Sequence, residues 1–322
     1  MVTLTHGQFV AIGSVALVAL CYAVAAPGPS HRATQRSHDD AVSRREATVK
    51  PSLQVAACRA VANSLGQRLP ADWNVVVHEP FVLGGDCSAD SLDATYHETI
   101  LPTVRALSIQ YFDHAPTWPI TILLCSTDAS YRECNQRLEA RERSEYSGIY
   151  SRTEHRLVVN VATGDGTLAH ELTHALAHAD FPTLPEWLDE GLASLHEECE
   201  FSADGLRLVG LDNWRGTALR EACQREPLRS VSDLASNRFA ASDRAATDYA
   251  HTRYFCLFLQ QKRLLEPFYR KCRSRVETDP TGIDSLCELF ATTHSREIEV
   301  QFTEWLAKSA GAGGPSLSRR AD

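Results

Sequence analysis

The sequence predicts an α+β protein: a mixed sheet carrying one long helix, followed by a second half built almost wholly of helices. Three observations predict it. Short apolar runs rich in β-branched residues recur in the first half, at Asn74-Val75-Val76-Val77, Pro119-Ile120-Thr121-Ile122-Leu123-Leu124 and Val158-Val159-Asn160-Val161. Segments of helical periodicity separate them, as expected where strands and helices share one sheet. Beyond Pro185 the helical periodicity is nearly continuous to the end of the chain.

The elements follow in order. Residues 56–69 read as a first helix and 73–82 as a strand. Residues 91–112 read as a helix whose broad apolar face is Ile100, Leu101, Val104, Leu107, Ile109 and Phe112. Strands are expected at 118–125, 146–150 and 156–161, and Ser126-Thr127-Asp128 opens a helix after the first of these. Gly164-Asp165-Gly166 is a turn and Thr167 an N-cap. The helix that follows carries Leu168, Leu172, Ala175, Leu176 and Ala179. Pro182-Thr183-Leu184-Pro185 ends it, and a new helix starts near Glu186. The remaining helices are expected at 186–198, 213–223, 230–237, 244–263, 266–275, 281–291 and 295–308. The domain thus spans 51–310, with an upper half at 51–180, a helical lower half at 181–310 and a cleft between them.

The helix after the glycine turn carries His170-Glu171-Leu172-Thr173-His174, an H-E-x-x-H pattern, and Glu190 follows within Trp187-Leu188-Asp189-Glu190-Gly191-Leu192-Ala193. Two His at i and i+4 project from one helix face, so both imidazoles reach one metal ion. The Glu between them points near the same opening and is placed to take a proton from water. Glu190 from a second helix supplies a third ligand. Three protein ligands leave the fourth tetrahedral position open, which is the pattern of a catalytic zinc site rather than a structural one. The bland alternative is a surface helix with two solvated His. The strand–turn–helix setting favours the metal.

W-L-D-E-G-L-A after H-E-L-T-H resembles the gluzincin branch of the zincin metallopeptidases, especially the peptidase MA-like superfamily. The resemblance implies a zincin-like fold, one Zn2+ per chain on His170, His174 and Glu190, and Glu171 as general base. It also implies that Gly191 and Ala193 let the ligand helix pack tightly against the metal helix. Related gluzincins often present a Tyr or His from the region matching Asp248-Tyr249-Ala250-His251 as a donor to the tetrahedral intermediate, so Tyr249 is the first candidate for that role and His251 the second. An ordinary packing role is the alternative for Tyr249.

Each ligand His needs an acceptor for its other ring N–H, and Asp189 and Glu197 are the candidates. Glu197 lies seven residues beyond Glu190, on the same helix face. A solvated surface acid is the alternative for both. His196 faces away from Glu190 and is no ligand. His178, one turn beyond His174, is expected to line the cleft mouth without a metal role. The function expected is that of a zinc metallopeptidase acting on a peptide or protein substrate. Its alternatives are a catalytically idle zincin-fold binding protein and a zinc amidase acting on cell-wall peptides.

Composition narrows the rest. Of 322 residues, 43% are hydrophobic, enough for a sizeable core, and the net charge of −9 leaves no basic footprint for nucleic acid. The basic stretch with Lys262, Arg263, Arg270, Lys271 and Arg273 reads as a solvated helix face. Residues 9–26 are apolar apart from Gly13, Ser14 and Cys21-Tyr22, and Ala23-Val24-Ala25 offers an A-x-A cleavage pattern, although no Lys or Arg precedes the run. Residues 1–26 are therefore expected to be a signal peptide, with 9–26 as a membrane anchor if uncleaved. Residues 27–50 read as a flexible linker and 311–322 as a flexible tail. Secretion or a periplasmic location follows.

Ten cysteines suit an oxidising compartment, and the absence of any C-x-x-C argues against a zinc knuckle. With Cys21 in the leader, nine remain. Cys256, in the apolar run Tyr254-Phe255-Cys256-Leu257-Phe258-Leu259, is expected to be a free buried thiol. The others pair most economically as neighbours: Cys58–Cys87, Cys125–Cys134, Cys199–Cys223 and Cys272–Cys287.

Overall fold

Strands β1 (Asn74–His78) and β2 (Phe81–Gly85) form an antiparallel hairpin where a single strand over 73–82 was expected. Pro80 explains the break: it has no N–H for the ladder and confines the chain to a turn. The computed structural model describes residues 51–139, 147–236 and 244–309, all within the unit Lys50–Asp322. The expected leader at 1–26, the linker at 27–50 and the tail at 311–322 lie outside the described residues. Among those described, no helix is long and apolar enough to cross a membrane.

β3 (Ile120–Cys125), β4 (Gly148–Ser151) and β5 (Arg156–Asn160) complete a five-stranded mixed sheet in the order β1-β2-β3-β5-β4. β2, β3 and β5 run parallel, and the two edge strands, β1 and β4, run antiparallel to their neighbours. Alternate residues of each strand point to opposite faces, so the sheet feeds two cores. Val82, Leu123, Cys125 and Val158 enter a smaller core with Cys58 and Leu65 of α1 (Pro51–Arg68), Leu69 just after it, and Tyr131 and Cys134 of α4 (Asp128–Glu139). Leu83, Ile120, Ile122, Leu124, Leu157 and Val159 enter the main core on the other face.

That face meets α2 (Ala89–Thr95), α3 (Leu101–Gln110) and α5 (Asp165–Asp180). α2 and α3 are one continuous rod interrupted by a π turn at Tyr96–Ile100. Pro102 accounts for it, because its ring clashes with the carbonyl four residues back and denies that carbonyl a donor. α5 starts three residues earlier than expected. Gly164 occupies the N-cap position with φ of +101°, a conformation only Gly adopts without strain, and Thr167 falls inside the first turn.

The lower half is α6 (Glu186–His196), α7 (Trp214–Arg225), α8 (Val231–Ser236), α9 (Ala245–Gln261), α10 (Leu265–Ser274), α11 (Ile283–Leu289) and α12 (Ser295–Ser309). It is not all helix: β6 (Cys199–Phe201) and β7 (Leu208–Gly210) form a small hairpin after α6. The fold is therefore α+β, as expected. Gly191 on α6 is required by α9 rather than by the metal helix. A Cβ there would lie 2.8 Å from the Cys256 Sγ and 2.9 Å from the Thr252 carbonyl oxygen.

The four expected disulfides are absent: all nine described cysteines are free thiols. Cys58 belongs to the small core, whereas Cys87 packs against the main core on the opposite face of the sheet, which separates that pair. Cys125 and Cys134 do meet, through a thiol hydrogen bond. Cys199 donates to the His196 carbonyl at 3.1 Å, and Cys272 lies against Gly282. Cys256 is fully buried, as expected.

Two histidines make acid stability a property of this core. Burial first, then the charge of Arg253 for His196 and of Arg244 for His251, pulls both rings down to about 3. Both are neutral when folded, whereas an unfolded His takes its proton near 6.5. Between those values the unfolded chain binds more protons, so stability falls as the pH falls through that window. Each ring costs about 1.4 kcal/mol per pH unit there, hence roughly 2 kcal/mol apiece from pH 6.5 to pH 5. His251→Phe retains the stack on Phe302, whose ring lies 5.2 Å away. Urea unfolding at pH 7 and pH 5 should show a shallower acid loss in that variant than in the parent. Equal losses would mean that His251 charges freely in the fold.

Candidate metal and active site

α5 lies on β4 and β5, and α6 crosses it so that His170, His174 and Glu190 meet. The Nε2 atoms of His170 and His174 are 3.1 Å apart, and the Glu190 carboxylate oxygen lies 3.9 and 3.7 Å from them. Zinc held at about 2.0–2.2 Å by tetrahedral ligands sets those atoms roughly 3.3 Å apart. The observed triangle brackets that value. Two imidazole nitrogens and one carboxylate oxygen are also a donor set that zinc accepts. The residues present therefore fit the ion.

Asp189 orients the site. Its Oδ1 accepts from His174 Nδ1 at 2.8 Å, which fixes the ring so that Nε2 faces His170 and Glu190. Its Oδ2 accepts from His178 Nε2, also at 2.8 Å. Burial pushes the Asp189 carboxyl up, but the charges and hydrogen bonds of His174 and His178 outweigh it and hold Asp189 ionised. Burial likewise works against a charge on His174, and Asp189, Glu190 and Glu171 together override it, pushing that ring up to about 10. The carboxylates thus make the site strongly attractive to a cation.

Glu171 is buried on α5 beneath Gly148 of β4. A Cβ at Gly148 would lie 2.8 Å from the Glu171 Oε1, so the edge strand runs directly over this carboxylate. Burial, with the nearby charges of Glu190, Asp189 and Glu197 outweighing that of His174, pushes Glu171 up to about 7. Glu190 is pushed up to about 7 as well, chiefly by burial. A carboxylate poised near neutrality is suited to taking a proton and returning it.

The other expected residues divide. Glu197 does not reach a ligand His; its carboxylate accepts from Arg215 Nη2 at 2.9 and 3.1 Å. His251 turns away from the site into the helical core, against Phe255 and Phe302, so it is not placed to act as an oxyanion donor. Tyr249 sits three residues before Thr252, whose backbone faces Gly191 beside Glu190. Positions three apart share a helix face, so Tyr249 lies on the α6 side of α9. His196 is no ligand: its Nδ1 lies 3.4 Å from the Thr173 hydroxyl and its ring is tilted against Tyr111.

His178, expected only to line the cleft mouth, clamps Asp189. Two neighbours escaped sequence reasoning. Tyr150 on β4 brings its ring to 5.6 Å from His178, with the hydroxyl buried and unpartnered. Arg215 comes from a separate helix and carries no motif at all. No family model matches the chain, and no curated protein matches it in sequence.

Proposed function

We propose that this chain is a zinc-dependent metallopeptidase with a zincin-like fold, acting on a peptide or protein substrate outside the cytoplasm. The observation that carries the reading is the convergence of His170, His174 and Glu190 on one point with a buried carboxylate, Glu171, beside it. Bound there, zinc supplies a Lewis acid that polarises the scissile carbonyl and acidifies the attacking water. His170, His174 and Glu190 hold the ion, and Asp189 fixes the ring of His174. Glu171 takes the proton of the attacking water and passes it to the leaving amine. Tyr249 donates to the oxyanion.

A peptide is favoured by the edge strand. β4 pairs only with β5 among the described strands, so its outer side presents unpaired backbone groups directly above Glu171. An extended substrate can add to it as a further strand, which aligns the scissile bond without reading side chains.

The test is zinc content of the purified protein together with a cleavage profile over a broad peptide library. One zinc per chain and cleavage abolished by a chelator are expected. Bound zinc without cleavage of any peptide would replace this reading with that of an idle binding protein.

A further inference from the structure

Trp214 and Arg215 open α7 at a corner of the metal site, and nothing in the hydrolytic chemistry uses them. Glu197, at the end of α6, fixes where they sit. It lies two turns beyond Glu190, and its carbonyl abuts Gly166, one turn before His170. Arg215 is tied to Glu197, so its guanidinium lies one to two helical turns from the metal ligands, roughly 6–10 Å. Its charge is felt at both His170 and Glu190.

The fork is only half used. Glu197 engages Nη2 alone, no described residue accepts from Nη1, and Nε is buried without a partner. Trp214 lies beneath the guanidinium, 4.7 Å from ring centroid to Cζ, yet is 70% exposed, the most exposed large hydrophobic residue among those described. An Arg stacked on an indole is held in place while its Nη1, which is not among the buried atoms, stays open to an acceptor. Asp189 is held by His174 and His178, Glu197 by Arg215, and Glu171 and Glu190 lie at the reacting centre.

We propose that Arg215, backed by Trp214, is the specificity-determining residue of this site and binds a substrate carboxylate one or two residues from the scissile bond. An extended chain rises about 3.3 Å per residue, so an acidic side chain or a free C-terminus at that remove spans the distance. The inference rests on the peptidase reading, and its test is arranged so that the two fail separately.

Two measurements decide it, both on zinc-loaded full-length protein. The first is binding of matched peptides to the non-cleaving Glu171→Gln protein: Glu against Gln near the scissile bond, and free against amidated C-terminus. The second is kcat/KM for the same peptides with the parent, Arg215→Gln and Arg215→Lys. Tighter binding of the Glu or of the free-acid peptide, by about 10–100-fold, is expected, and the pair that shows it identifies the source of the carboxylate. Arg215→Gln should bring that ratio close to one, mainly through KM, and Arg215→Lys should restore part of it. Zinc content and thermal melting establish that each variant is folded. If the parent cleaves peptides with no preference for either carboxylate, or Arg215→Gln weakens charged and neutral peptides alike, the assignment to Arg215 is overturned. If the parent cleaves nothing but the binding preference exists and depends on Arg215, the subsite stands and the peptidase reading falls.

Discussion

Glu171→Gln is expected to leave a folded, zinc-loaded protein that no longer hydrolyses peptides, with kcat reduced about 10²–10⁴-fold. Gln has nearly the shape of Glu, and the surroundings leave little freedom for a different rotamer, because Gly148 and Thr167 close over the side chain. An amide is no useful base at neutral pH, so the proton of the attacking water has nowhere to go. The parent carboxyl, pushed up to about 7 chiefly by its burial, sits where a group both accepts and returns a proton at neutral pH. Losing both transfers points to the upper end of the range. Tyr249→Phe removes one hydrogen bond to the oxyanion and is expected to cost less. The measurements are cleavage rate, zinc content and a circular dichroism spectrum for each variant. Parent-rate cleavage by a zinc-loaded Glu171→Gln protein would sink the mechanism.

The residues legible in the sequence were those whose relation is local. His170, Glu171 and His174 are fixed to one another by the helical repeat alone, and Asp189 and Glu190 share one short helix, so five residues on two elements sufficed. The strands at 120–125 and 156–160 were equally legible, since they are buried on both faces and read as unbroken apolar runs. Failures arose where tertiary partners decide. His251 and Tyr249 lie two residues apart, and only the packing of α9 between α6 and α12 sends one to the core and the other toward α6. Glu197 has the right spacing from Glu190 but is claimed by Arg215, which arrives from α7 and has no sequence signal. The β6–β7 hairpin was hidden because strands of three residues each are too short to show a period. Cys58 and Cys87 look like neighbours along the chain until the sheet is inserted between them.

His174→Ala is expected to abolish zinc retention, the largest effect of any single change on the metal. Zinc held by about four ligands is bound with roughly 10–16 kcal/mol, so one ligand accounts for about 3–4 kcal/mol, or some 10²–10³-fold in affinity. The loss here goes further than one bond, since His174 is also the partner that keeps Asp189 satisfied. Without it Asp189 retains only His178, and its second oxygen faces a cavity the size of an imidazole. Asp189→Asn separates the two contributions. Asn fills the same volume and can still accept from one His, but it carries no charge to strengthen the His174 ring as a ligand. A 10–100-fold weakening is expected, as is typical when a group behind a metal ligand is changed. Competition against a chromophoric chelator measures both, with urea unfolding alongside to separate loss of affinity from loss of fold. The order parent, Asp189→Asn, His174→Ala in zinc affinity follows from the two 2.8 Å hydrogen bonds of Asp189 and the 3.1 Å approach of the two Nε2 atoms. Stoichiometric zinc in a folded His174→Ala protein would place the ion elsewhere, and with it the ligand role of Glu190.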